Sequence, residues 1–429
     1  MTLPGGARAL ALEAIRRVID EGAYSNLLIP SLLGRSGLDQ RDRAFVSEMA
    51  YGTLRRLLVL DRAIEAKANR PVDRMSPGAR HALRLGAYQL FEMHVPPHAA
   101  VGETVELVGG REKGFVNAVL RKLASGSAPV VAGVDDKAVS ARTGLAPWAV
   151  RELRSQAGDD VERAAAALAE RGPLTLRVNT CRTTTDALAR ALRDAGHEPQ
   201  PGAIARDCLV LEKGDPATLP GFAEGWFTIQ DQASAFVVQV LDPQPGERVV
   251  DVCAAPGGKT LATACLVQPD GVVVAADLAS RRLGLIRRTA DRLGLEPILV
   301  AQDGASPALT GPFDRVLVDA PCSGIGSARR RPELLWRVPK ERLSQLARRQ
   351  VAISAAVADL LKPGGRLVYS VCTFPRAETD AACDAIQRHR PDLRPIETSG
   401  PDGDVARHRL WPHLHGTDGM FVAAFERIA

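Results

Sequence analysis

Residues 313–324 read FDRVLVDAPCSG, a short apolar run closed by an acid, a proline and a cysteine. Val316, Leu317 and Val318 are bulky, mostly β-branched and continuous, which suits a parallel strand buried on both faces. Open α/β sheets gather their chemistry at the carboxyl ends of such strands. Asp319 and Cys322 are therefore placed in that crevice, with Pro321 stiffening the backbone between them and Gly324 allowing a ligand to approach closely. A second cysteine, Cys372, follows another run of the same kind.

Outward from this stretch, strands alternate with helices from Gln230 to the end. Strands are expected at 247–252, 271–276, 297–300, 316–318, 365–370 and 419–425, after an entry helix at 233–241. That alternation predicts a doubly wound, mainly parallel sheet of the Rossmann-like α/β kind. After the first strand, ERVVDVCAAPGGKT (247–260) runs through a loop of small residues into a helix. Gly257 and Gly258 there let backbone amides meet a ligand at a helix N-terminus. Neither common nucleotide loop fits, because Cys253 stands where a Walker pattern needs glycine and no G-x-G-x-x-G is present. Asp277, Asp303 and Asp319 each follow a strand: Asp277 can accept both ribose hydroxyls of a nucleoside, and Asp303 can meet an exocyclic amine. With no phosphate cradle, this row of acids favours S-adenosylmethionine over ATP or NAD.

Upstream, residues 7–123 carry helical periodicity: Leu12, Ile15 and Ile19 recur on one face, with Arg16, Arg17 and Asp20 between them. Residues 124–136, ASGSAPVVAGVDD, read as a linker. Beyond it, an alanine-rich helix at 161–169 and short strands at 174–180, 208–211 and 226–229 suggest a small α+β module, and Thr185 and Asp186 are expected to cap the helix at 187–194. Three domains are thus expected, at 1–132, 133–229 and 230–429. In the module's first strand, Arg177 and Asn179 share a face by the period-two rule and are candidate RNA contacts.

The chain has 429 residues, 45% hydrophobic and 24% charged, the composition of a folded protein rather than a disordered one. No apolar stretch is long enough for a membrane span, and the start lacks the layout of a signal peptide, so a cytoplasmic location, no membrane partner and a monomer are expected. Seven cysteines without Cys-x-x-Cys spacing argue against a disulfide framework and a zinc site, and no metal is expected. Cys181, Cys208, Cys265 and Cys383 read as small buried hydrophobes. The net charge of +5 is compatible with a polyanionic partner, and Arg329, Arg330 and Arg331, close behind the Cys322 loop, are expected to edge the cleft and hold RNA.

Two resemblances sharpen this. Asp42-Arg43-Ala44-Phe45, Tyr51-Gly52-Thr53-Leu54-Arg55, Leu83-Arg84-Leu85-Gly86-Ala87-Tyr88-Gln89-Leu90 and Gly114-Phe115-Val116-Asn117-Ala118-Val119-Leu120-Arg121 resemble the antitermination factor NusB, which implies an RNA- or protein-docking helical bundle. The loop from Asp251 to Thr260, Asp319-Ala320-Pro321-Cys322-Ser323-Gly324, Val371-Cys372-Thr373, Arg331-Pro332-Glu333-Leu334-Leu335-Trp336 and the block from His415 to Phe421 resemble RNA cytosine-5 methyltransferases of the Sun/RsmB/Nol1 type. That resemblance implies cofactor contacts at Cys253, Ala254, Ala255, Pro256, Gly257, Gly258, Lys259, Asp277, Arg282, Asp303 and Asp319. It also implies attack by Cys372 on the base, with Cys322, Asp319 and Lys259 as its partners. A NusB-like domain ahead of the catalytic one points to the RsmB branch and to 16S ribosomal RNA. The family's Thr-Cys-Ser and Glu-Glu-Asn are here Val371-Cys372-Thr373 and Arg376-Ala377-Glu378-Thr379, which keeps the thiol and one acid. The same chemistry on transfer RNA, or a non-catalytic NusB-like factor, are the alternatives at this point.

Overall fold

In the computed structural model, which describes residues 6–126 and 131–428, the alternating and continuous apolar runs build two sheets. The smaller is antiparallel, with β1 (Leu174–Val178), β2 (Gln200–Pro201), β3 (Cys208–Leu211) and β4 (Phe227–Ile229) in the order β2-β3-β1-β4. The larger holds β5 (Arg248–Asp251), β6 (Val272–Asp277), β7 (Ile298–Ala301), β8 (Phe313–Asp319), β9 (Leu361–Val371), β10 (Leu393–Pro395), β13 (Arg407–Leu410) and β14 (Met420–Arg427), while β11 (Thr398–Gly400) and β12 (Gly403–Val405) pair separately.

Along the larger sheet the order is β10-β14-β9-β8-β5-β6-β7, with β13 on β14. The five strands from β9 to β7 are parallel, and β14 runs against β9. This is the doubly wound sheet that the alternation predicts. Chain order reverses between β5, whose successor lies on one side, and β8, which lies on the other. A ligand crevice opens at such a switch point, outside the carboxyl ends of the strands. Val316, Leu317 and Val318 are all buried: Val316 and Val318 pack on the Arg342–Val357 helix side of the core, Leu317 on the side of helix Gln232–Leu241. Burial on both faces is what an unbroken β-branched run requires.

The chain forms two compact units, one built from the chain up to Glu170 together with Ala328–Val338, the other from Arg171–Ser327 and the remainder. The division expected at 133 and 230 is drawn differently by the packing. Helices Asp136–Thr143, Pro147–Ala157 and Val161–Ala169 go with the helical unit, and the small sheet goes with the large one. Of the expected linker, residues 127–130 lie outside the described residues.

In the helical unit, Leu10, Ala14, Ile15 and Val18 of helix Gly6–Asp20 meet Val46, Met49 and Leu54 of helix Gln40–Arg55; of the expected stripe Ile15 is buried here, while Leu12 and Ile19 are only partly buried against the same core. The same unit takes in the family-like stretch after Cys322. Glu333 is fully buried, and its carboxylate accepts from the Ser25 amide (3.1 Å) and hydroxyl (2.6 Å). Trp336 donates to the Leu54 carbonyl (3.0 Å), and Arg337 donates to the carbonyls of Val18, Gly22 and Ala23.

Two local expectations are corrected. Helix Thr185–Asp194 is capped by Thr184, whose side chain accepts from the Ala187 amide; Thr184 is still extended, whereas Thr185 and Asp186 already belong to the helix. Cys181 and Cys265 are not isolated hydrophobes but a disulfide with Cα atoms 5.8 Å apart. A pairing across 84 residues leaves no spacing signal in the sequence. Cys208 and Cys383 are buried, as expected.

Candidate active site

At the switch point the sequence-predicted catalytic residues come together. Cys322, in the loop after β8, and Cys372, directly after β9, bring their sulfurs to 3.5 Å. Asp319, the last residue of β8, accepts from the Lys259 ammonium at 2.7 Å on one oxygen and from the Ser370 hydroxyl at 2.8 Å on the other. Lys259 sits in the first turn of helix Gly258–Leu266 and is itself buried. Burial alone would lower its pKa, but the charge and hydrogen bond of Asp319 outweigh that, and the ammonium is held above its ordinary range. The hydrogen bond with Cys372, followed by burial, pushes the Cys322 thiol well up. Cys322 is thus held toward its neutral thiol form, within hydrogen-bond distance of the Cys372 sulfur.

The loop from Cys253 to Gly258 lies at the end of β5. The Ala254 amide donates to the Ala276 carbonyl, and Gly257 adopts φ +107°, where an added Cβ would stand 3.0 Å from Ile286. Asp277 is buried and accepts from the amides of Ala255 (3.2 Å) and Ala279 (3.0 Å). Arg282 reaches both Asp277 and the Ala255 carbonyl, tying this acid to the loop of Ala255 and Pro256. Asp303 accepts from Arg349 at 2.6 Å, and this bond, with the Ala305 amide, holds its carboxyl below the usual range. Cys253 is half-buried, and burial raises its thiol pKa, which fits packing rather than reaction.

Charge decides what this end of the sheet can hold. Lys259, Arg282 and Arg349 are each engaged by one acid, Asp319, Asp277 and Asp303 respectively. Among these three cations no positive charge is left over for a polyphosphate. The donor set fits a nucleoside bearing a sulfonium cation, with the Cys253–Gly258 backbone, Asp277 and Asp303 around it.

Asp251 has a measurable consequence. Burial raises its carboxyl to about 7, against the Thr260 hydrogen bond that lowers it and with the charge of Asp319 adding to the rise. The folded protein thus holds this proton over a range where the unfolded chain has lost it. The group's contribution to stability is full below its unfolded pKa of 3.8 and is lost as pH rises through about 7. Asp251→Asn keeps an oxygen for Thr260 and has no proton to lose. Wild type should therefore lose up to about 4 kcal/mol relative to the variant between these limits. Urea unfolding of both proteins from pH 4 to pH 8 measures it; parallel curves would remove Asp251 from the account.

Two of the expected RNA contacts, Arg177 and Asn179, are enclosed. Arg177 is 4% exposed and Asn179 2%. Asn179 donates to the carbonyls of Gly225 and Leu293, and burial lowers the Arg177 pKa against the charge of Asp207. The period-two rule correctly puts them on one face, but helix Gln232–Leu241 covers that face, with its Ala235 against Cys208 of β3. Arg329 is 8% exposed and Arg330 and Arg331 are half-exposed; all three fold with the helical unit. Sequence reasoning missed Ser370 and Arg349. An alternation rule could have aimed Ser370 toward Asp319, but nothing local distinguishes Arg349 from its neighbour Arg348.

Among the described residues no cluster of His, Cys, Asp and Glu could hold a metal ion, and no helix is long and apolar enough to cross a membrane. The family described as 16S rRNA methyltransferase RsmB/F matches residues 238–426, the NusB family residues 6–125, and the ferredoxin-like domain of RsmF/B-like methyltransferases residues 146–218. A Bacillus subtilis protein described as a probable ribosomal RNA small subunit methyltransferase B is 34% identical, with 98% of each chain aligned. The chain belongs to the RsmB/F methyltransferase family. A Salmonella arizonae relative named ribosomal RNA small subunit methyltransferase B is 35% identical over 97% of both chains. The crystal structure of PH0851 shares the fold at a TM-score of 0.84 and 24% identity, covering all of both chains. Membership in the RsmB/F family makes the protein an RNA methyltransferase, built of a NusB-type helical domain, a ferredoxin-like module and a mixed-sheet methyltransferase domain, and it excludes the non-catalytic alternative.

Proposed function

We propose that this RsmB/F-family enzyme methylates carbon 5 of a cytosine in 16S ribosomal RNA through a covalent adduct on Cys372. The observation that carries this reading is the pair of sulfurs 3.5 Å apart beside the bonded Lys259–Asp319 pair. Carbon 5 of cytosine is too weak a nucleophile to accept a methyl group unaided. The Cys372 thiolate adds to carbon 6, and a proton passing to ring nitrogen 3 keeps negative charge off the base. That proton comes from the Lys259 ammonium and passes through the Asp319 carboxylate, so the two act as one relay.

S-adenosylmethionine supplies the electrophilic methyl carbon. Asp277 takes the ribose, Asp303 the adenine amine, and the backbone of Cys253, Ala254, Ala255, Pro256, Gly257 and Gly258 lines the remainder, with Arg282 holding the loop. After transfer, the proton on carbon 5 leaves to water and its electron pair re-forms the ring double bond. The sulfur–carbon pair returns to Cys372 as thiolate, while nitrogen 3 gives its proton back to the relay. Cys322, still protonated, donates a hydrogen bond to the departing sulfur. Arg330 and Arg331 are the remaining candidates from the arginine run for phosphate contact.

Bisulfite sequencing of total RNA from cells with and without the protein tests the substrate. One protected cytosine in the small-subunit RNA should disappear with the protein. A lost site in transfer RNA instead would move the assignment to that substrate, and no lost site would remove cytosine-5 chemistry.

A further inference from the structure

The loops that carry the two thiols are joined by a buried acid that the reaction as described does not use. Glu378 has no exposed surface, and its Oε1 accepts from the Ser323 amide at 2.8 Å and from the Gln350 side-chain amide at 2.9 Å. The same Gln350 nitrogen donates to the Pro321 carbonyl at 3.0 Å. Pro321 and Ser323 flank Cys322, so the backbone is gripped on both sides of that thiol. Farther in, the Tyr369 hydroxyl lies 2.7 Å from the Glu378 carbonyl and 3.0 Å from Gln350 Oε1. The Ser323 and Thr373 hydroxyls meet at 2.6 Å, which links the residue after Cys322 to the residue after Cys372.

A backbone strap completes the link. The Gly326 amide donates to the Cys372 carbonyl at 3.0 Å, and Gly326 accepts from the Gly419 amide at 2.8 Å. A Cβ on Gly326 would stand 2.1 Å from the Gly419 oxygen, so only glycine fits. Burial raises the Glu378 carboxyl, and its bonds to Ser323 and Gln350 oppose that rise. A half-satisfied buried carboxylate is costly. Glu378 nevertheless lies fully buried, with Oε2 unpartnered.

We infer that Glu378, with Gln350, is a positioning residue that sets Cys322 against the Cys372 sulfur for the release step. The inference rests on the two-thiol reading above. With the clamp cut, the Cys322 loop is free to drift, and the hydrogen bond that assists the departing sulfur is lost. Attack by Cys372 and cofactor binding do not depend on that bond. The clamp variant should therefore resemble a Cys322 variant: methylated RNA remains attached to Cys372 because the sulfur–carbon bond breaks slowly.

The experiment uses the full chain with 16S RNA and labelled S-adenosylmethionine, run on denaturing gels beside Cys322→Ala. Glu378→Leu should raise the denaturation-resistant adduct about tenfold over wild type and slow turnover by a similar factor, with cofactor affinity within about twofold. Glu378→Gln keeps an oxygen for both donors and should restore release to within about threefold of wild type. Gln350→Met tests the other arm of the clamp and gives the same adduct if Glu378→Leu is insoluble. A purely structural role would lower attack and release together, leaving no adduct, and that result overturns the inference. Equal trapping in Glu378→Gln and Glu378→Leu would assign the effect to charge and overturn it as well. If Cys322→Ala itself traps nothing, the two-thiol reading fails. If Cys322→Ala traps and neither clamp variant does, the clamp alone fails.

Discussion

Cys372→Ala should abolish both methyl transfer and the protein–RNA adduct, a loss of at least about 10³-fold in turnover, because nothing else then activates carbon 5. Cys322→Ala should behave differently: attack and transfer continue, release slows, and a species resistant to denaturation builds up only when RNA and cofactor are both present. The structure makes this contrast sharp. At 3.5 Å the two sulfurs are close enough for either to reach the same ring, so position alone does not choose between them. The family resemblance of Val371-Cys372-Thr373 assigns attack to Cys372, and the bond to Cys372 together with burial pushes the Cys322 thiol well up. Denaturing gels with labelled cofactor decide the matter. An adduct in Cys372→Ala and none in Cys322→Ala would reverse the roles, and undiminished methylation in both variants would end the covalent mechanism.

Deleting residues 1–123 should cost the enzyme its solubility and its cofactor binding, rather than RNA affinity alone. A helical domain on a flexible tether would be removable without harm. Here, however, Ala328–Val338, the segment of chain between β8 and β9, folds within the helical unit. Without that unit, Glu333 loses the amide and hydroxyl of Ser25, and Arg337 loses three carbonyls. A buried charge deprived of its partners costs about 3–5 kcal/mol. Leu334 and Leu335, now buried, would face water in the segment that leads away from the Cys322 loop. Calorimetric titration of the truncated protein with S-adenosylmethionine is the check. Wild-type affinity in a soluble, monomeric fragment would restore the picture of an independent docking domain.

Much of the catalytic fold was legible because buried parallel strands announce themselves. Val316-Leu317-Val318 and the run before Cys372 are apolar on both faces, and each is followed at once by the acid or thiol that the crevice needs. The helical unit was legible for the same reason at a different period, its apolar stripe falling every three or four residues. What stayed hidden depended on partners distant in the chain. Arg177 and Asn179 alternate correctly, but alternation says which residues share a face and not whether a helix covers it. Glu378 is one acid in a polar stretch, and only the fold shows its oxygen between Ser323 and Gln350. Likewise the segment from Ala328 to Val338 lies between two strands of one domain in sequence and packs in another.

The bond between Ser25 and Glu333 spans 308 residues and sets a clock on biosynthesis. At roughly 5–20 residues per second, about 15–60 s separate the emergence of the serine from that of its glutamate. Through that interval the nascent helical unit holds an unfilled groove where the late segment will lie. The helical unit, most of which precedes the sheet in the chain, is thus closed only after β8 and the Cys322 loop have been made. The carboxylate that completes the interior of the helical unit arrives with the same length of polypeptide that links the two halves of the methyltransferase sheet.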